Sequence, residues 1–423
     1  MREIDFDVTV VGGGIAGSEA ARNLANQGFK TALIEKRRSP PEKSLFVNSD
    51  LLPQDLVSRL AERGAIIPVP NHLLINTDDS RRNWGKREES SPHSTFAVFH
   101  PPIIEDARNR MNGEIEQVDG SYKGSFENYE RVTTQLSNER LIISDFLIDA
   151  SGDFGIVGRL HQVEGNGKLM VEDDPLVLWL KGVRVFGKFE EGLLIDPIGS
   201  KVGLSWVLPY SADYGDIVSA DICRLSELKS NLKIRQQIFN NLLKYCVVHD
   251  LCEIRVVEQN LTGFIRCEPI SPAVSRKSAR MYQVGASAGM GSPLMAEVVP
   301  AALNWASRLA EEIAKGATPY EFYRRWRFEK PMFPYDLELA MLKRRVVRQK
   351  KGIYGSNHPV YRAILDYLPD GEQKKVLSTR KISPRYWPRV LAAIADNPEL
   401  VPNLAELGFY YGGVKVNNAL NGG

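Results

Sequence analysis

Three glycines near the start of the chain have the spacing of a nucleotide-binding turn. Gly12, Gly14 and Gly17 follow an apolar strand pattern and open a helical interval. In such a turn the first glycine permits the bend, the second lets the backbone approach a pyrophosphate, and the third lets the helix pack on the strand. The pyrophosphate then lies against the N-terminal end of the helix, so Ile15 and Ala16 are predicted to contact it as well.

An acidic residue completes this pattern at the end of the next strand. Glu35 closes the apolar run Thr31–Glu35, and its carboxylate can accept hydrogen bonds from both ribose hydroxyls of an adenosine. Its charge would repel a 2′-phosphate, so the pattern disfavours NADP. The alternative is a glycine-rich turn without a ligand, and the combination of strand, helix and acid argues against it.

Two later segments repeat the arrangement of glycine after a strand pattern. They are Asp149–Gly152 and Gly285–Gly289. Ligands of open α/β sheets bind beyond the carboxyl ends of the strands, so three such segments would line one elongated molecule. An extended FAD needs all three, whereas NAD usually needs only the first. The sequence therefore favours FAD, and it contains no second GxGxxG for a nicotinamide cofactor.

Composition sets broad limits on the class of protein. The 423 residues carry a formal net charge of +2, with 43% hydrophobic and 25% charged residues, which is ordinary for a soluble globular protein of several units. Nothing points to nucleic acid. The chain has no apolar run of about 18 residues and no signal-peptide pattern at its start, so we expect a cytoplasmic location.

The four cysteines show no metal-ligand spacing, and no metal is predicted. Buried, inert thiols are the favoured interpretation. A redox pair formed by Cys246 and Cys252 is the alternative.

The order of strand and helix patterns predicts an α/β fold with discontinuous domains. We expect an FAD-binding Rossmann-like, three-layer domain, an inserted antiparallel β-sheet substrate domain and a helical C-terminal extension. The predicted boundaries are 1–50, 95–164 and 276–330 for the FAD-binding domain, 51–94 and 165–275 for the substrate domain, and 331–423 for the helical C-terminal region. The polar stretch Asp78–Ser94 is predicted to be a loop.

Four stretches resemble the geranylgeranyl reductase family within the flavoproteins of the aromatic-hydroxylase fold. They are VVGGGIAGSEAARNLANQGFKTALIEKR at 10–37, LIDASGDFGIVGR at 147–159, GLSWVLP at 203–209 and VGASAGMGSPLMAEVVPAAL at 284–303. The resemblance implies FAD as cofactor and reduction of isolated carbon–carbon double bonds in polyprenyl chains. It also implies an isoprenoid lipid or quinone substrate and an electron donor, either NAD(P)H or a ferredoxin-like carrier.

The resemblance also assigns residues. On the adenosine side it adds Lys36 and Arg37 to Glu35. Trp206 and Pro209 fall at the aromatic and proline of the substrate pocket, although a core position for the tryptophan is an equal alternative. The remaining cofactor residues that it implies are Gly152, Arg159, Gly285, Ala286, Gly289 and Pro293.

Several residues depart from the family pattern at the flavin end. Ala286 stands where the family usually has an aspartate, and Ala296 and Val298 replace two glycines. Two interpretations follow. The chain is either a flavoenzyme that anchors FAD mainly through its adenine half, or a paralogue that binds an adenine nucleotide and has lost flavin chemistry.

Glu297 is the acidic residue nearest the expected flavin ring. Burial would raise its pKa and let it donate the proton that alkene reduction needs. A carboxylate that stabilises a helix N-terminus is the favoured alternative.

Two further alternatives stay open. GLSWVLP supplies one tryptophan where flavin-dependent halogenases carry two, so a monooxygenase or halogenase acting on an aromatic ring is the second enzyme class. The basic run Lys343–Lys351 fits either peripheral contact with an anionic membrane or a solvated helix face.

Overall fold

The structure is a computed structural model of the chain. The residues that it describes are 3–36, 44–48, 52–68, 72–77, 80–86, 95–111, 114–152, 155–165, 167–168, 174–186, 193–196, 204–209, 213–230, 255–266, 276–290, 298–329, 367–369, 383–396, 398 and 405.

A nine-stranded sheet forms the centre of the nucleotide unit. Its strands are β1 (Glu3–Val11), β2 (Thr31–Glu35), β8 (Ile115–Asp119), β9 (Tyr122–Glu127), β10 (Val132–Leu136), β11 (Leu141–Asp149), β12 (His161–Val163), β13 (Gly167–Lys168) and β19 (Met281–Gln283). Their order is β13-β12-β9-β10-β11-β1-β2-β8, and β19 pairs with the last residues of β11. β19, β11, β1, β2 and β8 run parallel, so their carboxyl ends meet at one edge.

Helices cover one face of this parallel centre. They are α1 (Ile15–Asn26), α6 (Val299–Ala314) and α7 (Pro319–Glu329), and α3 (His100–Asn109) packs in turn against α1 and α6. Alternation along β2 separates the two faces, because Leu33 packs with Leu24 and Trp305 on the helical side while Ala32 and Ile34 pack on the other. Residues of β10 and of the short helix α4 (Ile156–Leu160) cover that second face. The three layers bury the strands on both sides.

A second sheet of seven strands lies outside the nucleotide unit. Its strands are β5 (His72–Thr77), β6 (Ser80–Lys86), β14 (Leu176–Phe186), β15 (Leu193–Asp196), β16 (Leu204–Pro209), β17 (Tyr214–Arg224) and β18 (Arg255–Arg266). The order is β18-β14-β17-β16-β15-β5-β6. All neighbours are antiparallel except β15 and β5, which run parallel. Helix α5 (Leu225–Ser230) follows β17 directly.

One sequence expectation is wrong in this sheet. Residues 80–86, within the predicted loop Asp78–Ser94, form strand β6. Its polar residues gave no alternating apolar signal, because within the described part of the chain β6 is an edge strand that pairs with β5 alone. Charged side chains are typical of such edges, where they discourage pairing with another chain.

Between β2 and α3 the chain also forms a small third sheet and one helix. The sheet consists of β3 (Ser44–Asn48), β7 (Thr95–Phe99) and β4 (Ile66–Pro68). Helix α2 (Gln54–Glu62) packs Leu56 and Leu60 with Ile15 of α1 and with residues of α3 and α6. The α/β fold class with a separate, largely antiparallel sheet is confirmed, while the exact domain boundaries stay a prediction.

Beyond residue 330 the described residues include helix α8 (Trp387–Ala395) and the 3-10 turn before it, Pro384–Tyr386. Within the described ranges, no helix has the combined length and apolar character that crossing a bilayer requires.

Candidate functional site

The glycine-rich turn between β1 and α1 is packed so closely that two of its positions accept only glycine. A Cβ on Gly12, whose φ is +107°, would lie 2.3 Å from the carbonyl oxygen of Ala150. A Cβ on Gly17 would lie 1.7 Å from the carbonyl oxygen of Gly12. These two glycines therefore set the shape of the turn and bring it against the end of β11.

Gly14 differs from its neighbours, because a Cβ at this position would meet no atom within 4 Å. It is the N-cap residue of α1, and none of the described side chains caps this helix end. Its carbonyl accepts the Ser18 N–H at 2.9 Å, so the backbone enters the helix directly. The turn leaves open space beside uncapped N–H groups at the positive end of a helix, as a pyrophosphate requires.

Glu35 lies against this turn at the end of β2. Its Oε2 accepts the Gly13 N–H at 2.6 Å, which fixes one side of the carboxylate. The carbonyl of Gly13 in turn accepts hydrogen bonds from Ser18 Oγ at 2.9 Å and from Arg108 Nη2 at 3.2 Å. Side chains therefore hold both the N–H and the carbonyl of Gly13. The Glu35 carboxylate is thereby oriented where an adenosine ribose would bind.

Arg108 belongs to this site although sequence reasoning missed it. It lies in the last turn of α3 and is half-buried. Its Nε is buried and has no hydrogen-bond partner among the residues that the structure describes. The residue places a positive charge beside the turn and beside Glu35. No local motif marks an arginine that contacts a carbonyl 95 residues away.

The two later glycine segments meet the first at the same sheet edge. Gly285 has a φ of +72°, and a Cβ there would lie 2.7 Å from the Cβ of Ala16 in α1. Ser287 Oγ donates to the carbonyl of Asp149 at 2.6 Å, and the Val284 N–H donates to the same carbonyl at 3.0 Å. The structure thus assembles segments that are widely separated in sequence.

Asp149 organises the middle segment. Its side chain is fully buried, and this burial raises the pKa of the carboxyl, while hydrogen bonds from Ser151 oppose the shift. The Ser151 N–H and Oγ donate at 3.1 and 2.6 Å, and Gln283 Nε2 donates at 3.2 Å. This network fixes the backbone that leads into Gly152.

The remaining predicted cofactor residues lie around this edge, and their roles stay predictions. Ala286 is half-buried in a 3-10 turn, Gly285–Ala288, where its carbonyl accepts the Gly289 N–H at 3.0 Å. Gly152 has open space at its Cβ position. Arg159 lies half-buried in α4, and Lys36 is exposed after β2.

The other predicted positions are described less fully. Trp206 and Pro209 lie in β16 of the second sheet, where Trp206 is opposite Ile195 on one side and Val218 on the other. Outside the described residues lie Arg37, Pro293, Ala296, Glu297, Cys246, Cys252 and the basic run 343–351.

The residues present fit a dinucleotide at its adenosine and pyrophosphate half. The open cradle at Gly14 suits a diphosphate, and the held carboxylate of Glu35 suits a ribose. The convergence of three segments at one edge suits a molecule that extends past α1.

Comparison with known proteins identifies the same kind of unit. Residues 6–175 match the family described as pyridine nucleotide-disulphide oxidoreductase. A D-amino acid dehydrogenase of Ralstonia nicotianae is 37% identical over 69 residues, which is 16% of this chain and 16% of that protein. A digeranylgeranylglycerophospholipid reductase of Haloferax volcanii is 25% identical over 156 residues, covering 35% of this chain and 36% of the reductase. The chain thus covers well under half the length of these curated relatives.

Solved structures match over a much longer stretch. A geranylgeranyl bacteriochlorophyll reductase-like protein from Thermoplasma acidophilum has a TM-score of 0.65 at 18% identity, covering 96% of this chain and 100% of that one. A flavin-dependent brominase has a TM-score of 0.63 at 15% identity, covering 95% and 100%. At these identities the likeness establishes the fold. The family match over residues 6–175 and the cradle at Gly14 lie in the same part of the chain, and both indicate a nucleotide-binding unit.

Proposed function

We propose that the protein reduces carbon–carbon double bonds in the side chain of an isoprenoid lipid or quinone. The observation that carries this proposal is that one chain combines the nucleotide unit with the seven-stranded sheet. The reductase-like structure of Thermoplasma acidophilum matches this combination along nearly the whole chain. The sequence match to a digeranylgeranylglycerophospholipid reductase supports the same substrate class.

In this proposal bound FAD, once reduced, supplies a hydride to an unactivated alkene. The chain binds the diphosphate at Gly14, orients the ribose with Glu35, and contributes the Gly285–Gly289 segment on the flavin side. Trp206 and Pro209 of β16 bound an apolar substrate pocket. Glu297 is proposed as the proton donor, and either NAD(P)H or a ferredoxin-like carrier as the source of electrons.

A second candidate is a halogenase or monooxygenase that acts on an aromatic ring. The observation that favours it is the brominase structure, whose TM-score nearly equals that of the reductase-like protein. The single tryptophan in GLSWVLP argues against it, because halogenases of this fold carry two. The third candidate is a nucleotide-binding protein without catalysis, which Ala286 favours because it cannot accept the hydrogen bond that an aspartate would.

A single-turnover experiment separates the three. The purified protein is loaded with FAD, reduced without oxygen, and mixed with a geranylgeranyl lipid while flavin absorbance and lipid mass are followed. We expect the flavin to reoxidise as the lipid gains two hydrogen atoms per double bond.

Two outcomes would overturn the proposal. Reoxidation only with oxygen, accompanied by bromination or hydroxylation of a phenol, would establish the second candidate. A protein that retains FAD but reacts with neither substrate, or that cannot be loaded, would favour the third.

A further inference from the structure

A chain of buried hydrogen bonds links β9, β12 and the residues directly before β19. Ser125 of β9 lies opposite His161 of β12 in register, and Ser125 Oγ is 2.7 Å from His161 Nδ1. The other ring nitrogen, Nε2, is 2.9 Å from Oε2 of Glu127, and Ser278 Oγ donates to the same oxygen. These four side chains, which we call the Glu127 network, belong to residues that are between 0% and 7% exposed.

The direction of each hydrogen bond follows from the charge of Glu127. Burial would raise the pKa of its carboxyl, but hydrogen bonds from His161 and Ser278 help to hold the pKa below its ordinary value. An ionised carboxylate only accepts, so His161 Nε2 carries a proton and Ser278 Oγ donates. In the neutral ring, Nδ1 then accepts the hydroxyl of Ser125, whose oxygen accepts the hydroxyl of Tyr122 at 2.5 Å. The network therefore holds each of its members in one orientation.

Ser278 connects the network to the start of β19. Its Oγ also accepts the Met281 N–H at 2.8 Å, and Oε1 of Glu127 accepts the Ala279 N–H at 2.8 Å. Both contacts fix the backbone directly before β19, whose pairing with β11 begins at Met281. β19 leads in turn into the third glycine segment at Gly285. The position of that segment thus depends on the Glu127 network.

The network also lies on both sides of the second sheet in sequence. His161 precedes the strands β14–β18, and Ser278 follows them. Glu127 therefore joins the segment by which the chain leaves the nucleotide unit to the segment by which it returns. Such a connection keeps the third glycine segment in place at the end of a long insertion, whose closure costs conformational entropy.

We propose that Ser278, Glu127 and His161 are positioning residues that hold the segment Gly285–Gly289 where it contacts the flavin half of bound FAD. The adenosine half is assigned to Gly14 and Glu35, which belong to other elements, so its binding should not depend on the Glu127 network. The inference rests on FAD as the cofactor of the proposed function, and it is independent of the alkene substrate.

The test compares the affinities of the full-length protein for FAD and for ADP, which lacks the flavin half, by titration calorimetry. We expect Ser278→Ala to weaken FAD binding about five- to tenfold and to change ADP binding less than about twofold, because only the flavin half loses its contact. Ser278→Thr, which keeps the hydroxyl, should restore FAD binding. His161→Phe should behave like Ser278→Ala, since it removes a donor to Glu127.

Tyr282→Phe is the matched control. It removes one buried hydrogen bond from β19 itself, in which the Tyr282 hydroxyl donates to the carbonyl of Ala317 at 2.5 Å. We expect it to lower the melting temperature as Ser278→Ala does, but to leave the ratio of the two affinities unchanged. The ratio therefore separates positioning of the glycine segment from a general loss of stability.

An unchanged ratio in Ser278→Ala, or an equal fall of the ratio in Tyr282→Phe, would overturn the inference while FAD remained the cofactor. A wild type that binds ADP as tightly as FAD would overturn the inference together with the proposed cofactor, since the flavin half would then make no net contact.

Discussion

At the scale of single residues, the glycine turn separates positions where close packing requires glycine from Gly14, where it does not. A Cβ on Gly17 would clash with the carbonyl of Gly12, whereas a Cβ on Gly14 would meet open space. Gly14 also has a φ of −72°, in the extended region that other residues can adopt. We therefore predict that Gly14→Ala leaves the melting temperature unchanged but weakens FAD binding at least about tenfold, because the new methyl group occupies the path of the pyrophosphate. Titration with FAD measures the loss.

Gly17→Ala is the counterpart, and it should lower the melting temperature as well as FAD binding. If Gly14→Ala binds FAD as the wild type does, the diphosphate does not lie at this helix end.

Arg108 is the second residue for which we make a prediction. Replacing it by glutamine removes the hydrogen bond to Gly13 and a positive charge near a cofactor that carries two negative ones. We expect Arg108→Gln to weaken FAD binding several-fold and to change the free energy of unfolding by only about 1 kcal/mol, the usual net value of one hydrogen bond. Quenching of FAD fluorescence gives the affinity. Arg140→Gln, at an exposed arginine, should change neither quantity.

These residues also show how much of the candidate site could be predicted from the sequence. The tight turn at Gly12 and Gly17 and the position of Glu35 beside it follow from local spacing, so they were predictable as a pattern, while the cofactor roles of Gly14 and Glu35 stay predictions. Arg108 and Ser287 act on partners far away in the chain, and only the folded sheet brings them there.

At the scale of elements, a buried carboxylate joins three parts of the nucleotide unit. Glu127 of β9 is 3% exposed. Its Oε2 lies 2.9 Å from His161 Nε2 in β12, and its Oε1 accepts the Ala279 N–H at 2.8 Å. Ser278 Oγ donates to the same carboxylate. Burial alone would raise the pKa of Glu127, but these hydrogen bonds outweigh it and hold the pKa below its ordinary value.

The lowered pKa leads to a prediction with a definite sign. Ionised Glu127 stabilises the fold above its unfolded pKa of 4.5, and this contribution is lost as the pH falls through the lower, folded value. Glu127→Gln should cost about 1.5–3 kcal/mol at pH 7, the range for hydrogen bonds to a charged group. Denaturant unfolding at several pH values should show the wild type and the variant converging below pH 4.5.

Glu130→Gln, at an exposed site near the end of the same strand, should have little effect at any pH. A gap that stays constant from neutral to acidic pH would mean that the charge of Glu127 contributes nothing.

Elements differ in how well the sequence predicts them. The spacing of apolar residues from Ile103 to Met111 predicts a helix over these residues. In the structure α3 begins earlier, at His100, because prolines at 101 and 102 are tolerated in a first turn where N–H groups have no helical partner. Strand β6 was missed because an edge strand has no need of an apolar face. Both errors come from reading a local pattern without its tertiary setting.

At the scale of the whole molecule, the sheet edge where the three glycine segments meet brings together parts of the chain that are distant in sequence. We therefore predict that FAD raises the melting temperature in proportion to the logarithm of its concentration. At about 100 times its dissociation constant the gain is about 2.7 kcal/mol. ADP, which fills only the adenosine half, should stabilise less. NADP should stabilise least, because Glu35 repels a 2′-phosphate.

Differential scanning fluorimetry with the three nucleotides measures this series. Equal shifts for ADP and FAD would mean that the flavin half makes no net contact, and would favour a nucleotide-binding protein without flavin chemistry.

The late position of β19 in the sequence has a consequence for folding during synthesis. Ser287 bonds to the carbonyl of Asp149, 138 residues earlier, and β19 pairs with β11 only after the strands β12–β18 have been synthesised. Contacts between such distant residues form slowly, since a long loop must close first. We therefore expect that a chain still on the ribosome forms the glycine turn before its cofactor pocket is complete, and that cofactor binding is one of the last steps of its folding.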